Sequence, residues 1–425
     1  MSFFELTATL LTLSATFGWL NHQFLHLPHS VGLLLLGLLS SLLLIVVDLA
    51  VPQARLYEQV VASLGQIDFT EIVINGMLAF LLFAGALNVN FSALRSRALQ
   101  VGYLAIVATI VSTAVVGGLV WYTAGLLGFP VSLPWALVFG ALISPTDPVA
   151  VLTMLKGMRL KGGLKSEAEG EALFNDGVGI VLFTVLVGVA VGHESFDLGA
   201  ASLDLLREAG GGIVLGLGTG YLAYRAMRAI DDFPVEVLIT LALVGGTYAL
   251  AQRLGFSGAL ATVAAGLLVG ERAPKDAMSE RTQTYVTSLW TLIDEVLNSV
   301  LFLLIGLELF VVQPNLFNLL FGLVAIPIVL VARVIAVSIP LLLPLRGRAN
   351  PRHVPFLTWA GVRGGISVAL VLALPASEAK PVLLAGTYAV VLFSVVVQGL
   401  TLRPLVRRLG LSDDRGAGGG GTPSH

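Results

Sequence analysis

The chain has 425 residues, 56% of them hydrophobic and only 12% charged, where a soluble domain is roughly 45–50% apolar and about 25% charged. That much apolar surface, with a mean hydropathy of +0.92, cannot all be buried inside one soluble protein of this size, so lipid must cover the outside. A net charge of −2 gives no case for nucleic acid or an acidic partner, and the lack of cysteine excludes disulfides, a thiolate nucleophile and Cys-based metal sites.

A membrane helix needs about 20 mostly apolar residues. In chain order the apolar segments are Leu6–Leu20, Val31–Leu49, Phe69–Phe91, Ala98–Ala124, Trp135–Leu155, Leu173–Val191 and the glycine-rich Ala209–Met227. They continue with Val235–Ala251, Ser257–Val269, Val286–Val312, Leu316–Leu343, Val354–Leu374 and Val382–Leu400. The first segment has Glu5 where a secretory signal carries positive charge, and no persuasive cleavage site follows, so it reads as a membrane helix. The tail after Leu400 is basic and then glycine-rich from Gly416 to Gly421, a composition of disorder. The expectation is an all-α membrane protein of about thirteen transmembrane helices.

Eighteen of the 24 basic residues fall in or at the edge of the loops after odd-numbered segments and in the tail, among them Arg97, Lys161, Lys165, Arg348 and Arg408. The opposite loops hold only Arg55, Arg207, Arg253 and Lys380. By the positive-inside bias the N-terminus lies outside and the C-terminus in the cytoplasm, across the cell membrane. Thirteen segments also suit a six-plus-one-plus-six inverted repeat, in which segments seven apart run in opposite directions. The fifth carries Pro145-Thr146-Asp147-Pro148 and its partner, the twelfth, carries Gly361-Val362-Arg363-Gly364-Gly365. Each interrupts an apolar run with helix breakers and a charge, which points to two broken helices crossing around a site.

A charge at the bilayer centre costs roughly 2.5–3.5 kcal/mol on insertion scales. Asp147, Asp176, Arg333 and Arg363 lie deep in their segments, with Glu171 near the inner end of the sixth; Asp294, Glu295 and Glu308 lie towards the ends of the tenth and read as interfacial or funnel-lining. Glu171 and Asn175 are four apart and share a helix face, with Asp176 beside them. Pro148 frees the Ser144 carbonyl from its helical bond, so that carbonyls here can point at a cation. Asp176, Thr146 and this open backbone offer carboxylate, hydroxyl and carbonyl oxygens, the ligands a hard monovalent cation prefers. The alternatives are a buried acid that ties two helices together at Asp176, a structural ion pair at Glu171 and Arg333, and a helix cap at Asp147.

The motifs P-T-D-P (145–148), L-F-N-D-G (173–177), L-I-G-L-E-L (304–309), V-A-R-V (331–334) and G-V-R-G-G (361–365) together resemble the NhaP-like Na⁺/H⁺ antiporters, prokaryotic relatives of the animal sodium/proton exchangers, over essentially the whole chain. The resemblance implies a homodimer that exchanges a monovalent cation, Na⁺ first with Li⁺ or K⁺ as alternatives, for H⁺ without a cofactor. It implies scaffold helices in 1–97 and 235–312, core helices in 98–192 and 316–402, a linking helix in 205–230 and a short tail in 403–425. Asp176 would bind cation and proton alternately, and Asn175 before it marks the electroneutral branch. Thr146 and Asp147 would be the unwound element, Glu171 would pair with Arg333, and Arg363 would sit at the twelfth break. Two positions depart from the family pattern: Ala172 replaces a frequent serine and Ala84 a frequent acid, both removing oxygens near the site.

Other classes fit less well. An intramembrane aspartyl protease would need two paired aspartates in a G-x-G-D setting, which neither Asp147 nor Asp176 has. The G-x-S-G of a rhomboid-type protease occurs at Gly255–Gly258, but only His353, in a loop, and His425, in the tail, follow it. Neither a zinc-protease H-E-x-x-H nor a T-V-G-Y-G channel filter is present.

Overall fold

The computed structural model describes residues 3–50, 76–89, 94, 96–129, 131–147, 150–151, 158, 160, 164–192, 198–308, 316–342, 351 and 353–412. Over these residues the regular secondary structure is helical, apart from one isolated bridge between Leu160 and Ser412. In chain order the helices are α1 (Phe3–Leu20), which runs on into a π turn at Asn21–Leu25, α2 (His29–Ala50), α3 (Leu78–Asn88), α4 (Ala98–Leu127), α5 (Leu133–Ile143), α6 (Leu164–Ala190) and α7 (Leu198–Arg228). They continue with α8 (Phe233–Arg253), α9 (Gly258–Asp276), α10 (Glu280–Glu308), α11 (Leu316–Leu342), α12 (His353–Trp359), α13 (Gly365–Leu372) and α14 (Lys380–Arg408).

Among the described residues seven helices (α2, α4, α6, α8, α10, α11 and α14) are long and apolar enough to cross a membrane. Leu99, Leu126, Leu206, Val214 and Leu222 are left exposed on helix surfaces, as lipid contact requires. The predicted segments coincide with helices, with instructive differences. Helix α6 starts nine residues before the apolar segment, at Leu164. The acids that make its first turns look polar are accommodated in the fold: Glu167 and Glu171 are buried in ion pairs. The twelfth segment is two helices, α12 and α13, separated by non-helical backbone at 361–364. Pro148, Lys161, Arg348, Leu309 and the tail from 413 lie outside the described residues, as does the start of the third segment.

The helices pack in two groups. One contains α4, α5, α6, α11, α12, α13 and α14; the other contains α1, α2, α3, α7, α8, α9 and α10. Buried phenylalanines fill the first group, with Phe139 edge-on to Phe321 at 5.8 Å between ring centres. In the second, Trp290 is fully buried against Phe83 at 4.6 Å, and its indole N–H donates to the Thr240 hydroxyl at 3.0 Å. The groups meet along α6 against α3, α7 and α9, along α10 against α13, and where α2 touches α14.

Candidate functional site

Helix α5 opens on Ser132 with Pro134 in its first turn, where the missing N–H costs nothing, and stops at Ile143. The backbone at Thr146 and Asp147 is then non-helical, as two flanking prolines dictate. Asn175 of α6 holds this break open. Its side-chain amide donates to the Thr146 hydroxyl at 2.9 Å, and its oxygen accepts from the Thr146 N–H at 3.4 Å. On the other side of the break, the Ser144 hydroxyl donates to the Gly140 carbonyl at 2.7 Å and lies 2.9 Å from the Ser112 hydroxyl of α4. Asp147 accepts from the Ala150 N–H at 3.1 Å, which is capping geometry for the following residues.

The break between α12 and α13 crosses this one directly. The Asp147 N–H donates to the Val362 carbonyl at 2.8 Å, joining the two unwound strands of backbone. Arg363 is 1% exposed and sends one guanidinium nitrogen to the carbonyls of Ser144 and Pro145, the latter at 2.8 Å. The crossing is tight: a Cβ on Gly364 would collide with the Asp147 carboxylate, and one on Gly179 of α6 would collide with the Pro145 ring. Only glycine lets these backbones approach so closely.

This arrangement corrects one expectation from sequence. The carbonyls of Ser144 and Pro145, freed by the prolines, do not point into open space for a cation; Arg363 takes them. A buried guanidinium needs acceptors, and unpaired carbonyls at a helix break supply them.

Glu171 and Arg333 lie at the next level along α6. Both are buried, at 2% and 5% exposure, and they meet in a two-point pair with one contact at 2.8 Å. Arg333 also donates to the Leu357 carbonyl in α12 at 3.1 and 3.2 Å, so one guanidinium joins α6, α11 and α12. Glu167, one turn earlier, pairs with Arg97 and lies 3.6 Å from His353. The sequence gives no local sign of that second cluster, because its members come from three separate segment ends.

Asp176 is 2% exposed, and the charged groups that act on it are Asp147 and Arg363. Among the described residues its carboxylate makes no hydrogen bond. It faces a cavity of about 50 Å³ bordered also by Thr146, Asp147, Asn298 and Ser367, with leucines and the glycines and proline of the two breaks among the remaining walls. That volume holds a small cation with a little water. Asn298 of α10 is turned towards Asp294, whose side chain it meets at 3.0 Å. A second, smaller cavity of about 10 Å³ touches Thr146 and Asp147 from elsewhere and is lined by Glu171, Ala172 and Arg333. Thr146 and Asp147 therefore form a wall between two cavities. Ala84 is buried and borders neither cavity. Ser394 of α14 is a site residue that the sequence does not single out; it bonds the backbone of Arg363, and its signal is a lone hydroxyl in an apolar run, four residues before Gln398.

The family model for the transmembrane sodium/hydrogen exchangers matches residues 10–408. The chain is 40% identical to the Na(+)/H(+) antiporter NhaP of Pseudomonas aeruginosa over 411 residues, which is 95% of this chain and 96% of that protein. It is 34% identical to the Na(+)/H(+) antiporter NhaH of Halobacillus aidingensis over 393 residues, covering 91% and 93% of the two chains. Its fold is similar to that of the sodium proton antiporter MjNhaP1 from Methanocaldococcus jannaschii, with a TM-score of 0.75 at 22% identity over 95% of this chain and 97% of that one. With a family model spanning nearly its whole length and relatives matched from end to end, the chain belongs to the transmembrane sodium/hydrogen exchanger family.

Proposed function

We propose that this protein is a multi-pass secondary transporter of the cell membrane that exchanges Na⁺ for H⁺, one for one, with Li⁺ or K⁺ as alternative cations. The observation that carries the reading is Asp176: a buried carboxylate beside two crossed helix breaks, facing a cation-sized cavity. The names of the relatives support the choice of ions. Na⁺ and H⁺ are substrates in this reading, and no cofactor is needed.

The charges at the crossing explain the coupling. Arg333 offsets Glu171, and Asp147 and Arg363 both act on Asp176, so the five groups together carry one excess negative charge. One monovalent cation or one proton on Asp176 cancels it. An unloaded, charged site moving past an apolar barrier costs several kcal/mol, and either loaded form avoids that cost. Movement is thereby restricted to loaded carriers, which makes the cycle an exchange rather than a leak. In this reading Thr146 adds a hydroxyl oxygen to the cation, Asp147 adds charge and caps the half-helix, and Asn175 keeps Thr146 in place. Glu171, Arg333 and Arg363 hold the frame. The helices in 98–192 and 316–402 form the moving core. Those in 1–97 and 235–312 form the scaffold of a homodimer, 205–230 links them, and the N-terminus faces outside.

Everted membrane vesicles with a pH-sensitive dye test the function. Added NaCl should collapse a respiration-driven pH gradient, and LiCl and KCl rank the alternatives. A gradient insensitive to all three salts contradicts the reading. The second class, an intramembrane aspartyl protease, finds no support: Asp147 is engaged in backbone capping, and the family is one of exchangers.

A further inference from the structure

We propose that Ser394 is a positioning residue for the cation site, acting through the backbone of Arg363; the inference rests on the exchange reading above. Ser394 is 1% exposed and opens a π turn at Ser394–Gln398 within α14. Its hydroxyl oxygen accepts from the Arg363 N–H at 3.0 Å. Its single proton is shared between the carbonyls of Arg363 at 3.2 Å and Val391 at 3.0 Å. One turn further, the Gln398 side chain donates to the Trp359 carbonyl at 3.3 Å, where α12 ends. The π turn therefore aims two side chains at the two edges of one helix break. Insertions of this kind widen a helix locally and re-aim its side chains.

The other break has the same device. Asn175, on the helix that follows the α5 break, gives and takes a hydrogen bond at Thr146. Ser394, on the helix that follows the α12–α13 break, does the same at Arg363. The two clamps meet through Arg363, whose guanidinium binds the Ser144 and Pro145 carbonyls directly before Thr146. A chain of contacts thus runs from Ser394 through Arg363 to the backbone that presents the Thr146 oxygen to the Asp176 cavity. Ser394 touches neither ion. It sets the angle from which Arg363 grips the opposite break, and so the spacing of Thr146 and Asp147 from Asp176.

The consequence is a change in cation affinity with little change in fold. Losing one buried hydrogen bond of this kind is worth about three- to tenfold in an equilibrium. Ser394→Ala should raise the apparent KM for Na⁺ by about that factor, with a smaller effect on the maximal rate. Ser394→Thr, which keeps the hydroxyl, should return KM to within about twofold of the parent. Thr401→Val is the control, because Thr401 bonds the Trp359 indole from the same helix but makes no bond to the backbone of the break; its KM should be unchanged. Affinity is read a second way, without transport, from the Na⁺ dependence of thermal unfolding in detergent. A Ser394→Ala protein with parental KM and parental Na⁺-dependent stabilisation overturns the inference. So does a loss of stability shared equally by Ser394→Ala and Thr401→Val with KM unmoved, which is a structural role alone. If Asp176→Asn still exchanges at the parental rate, the exchange reading fails instead. A parent protein that responds to no cation in either assay removes both.

Discussion

Asp176 combines deep burial with a neighbouring acid at Asp147 and a neighbouring cation at Arg363. Asp176→Asn keeps the size and the hydrogen-bonding capacity of the side chain but fixes its charge. The expected result is exchange reduced to background, with expression and detergent thermal stability close to the parent. An amide cannot cycle between ion-bound and protonated states. Parental exchange by the variant contradicts the role assigned to Asp176. At this scale the sequence was informative wherever chemistry is local: an N-D-G within an apolar run marks its own acid. It was silent on Ser394, whose importance comes from a residue 31 positions away in chain. Arg363 was visible as a buried charge, yet its acceptors at Ser144 and Pro145 lie more than 200 positions back.

Helix α6 carries a row of buried carboxylates, two of which are tied to different neighbours. Glu167 reaches Arg97 at the start of α4, and Glu171 reaches Arg333 of α11, which in turn holds the last turn of α12. Removing one partner of a buried pair strands the other charge, at about 3–5 kcal/mol. Glu171→Ala and Arg333→Ala should therefore each lower thermal stability in detergent, and the double variant should recover part of the loss. Strictly additive losses contradict the pairing. Both helix breaks were legible because proline and glycine act on their own backbone, whatever surrounds them. The start of α6 was not, because three acids in its first turns resemble a loop until their partners are known. Hydropathy measures side chains singly, and a buried ion pair defeats it.

The two packing groups meet along α6 and α10 beside the Asp176 cavity, which is where a moving core would slide past a fixed scaffold. The proposed exchange needs a defined orientation, and the positive-inside bias predicts Lys161 and Arg348 on the cytoplasmic side. Single cysteines there, in a chain that has none of its own, should be labelled by an impermeant reagent only in everted vesicles or opened cells; labelling from outside contradicts the topology. The central claim is that one carboxylate carries either one cation or one proton, so that no net charge crosses. A second titrating acid, with Asp147 the nearest, would instead move two protons per cation and draw about 2.3 kcal/mol per 100 mV from the membrane potential. The direct measurement is the Na⁺ gradient that balances a fixed pH gradient in proteoliposomes, with voltage clamped by K⁺ and valinomycin once K⁺ itself is shown not to be carried. The account predicts a balance point that stays fixed as voltage is varied; a balance point that moves with voltage contradicts it.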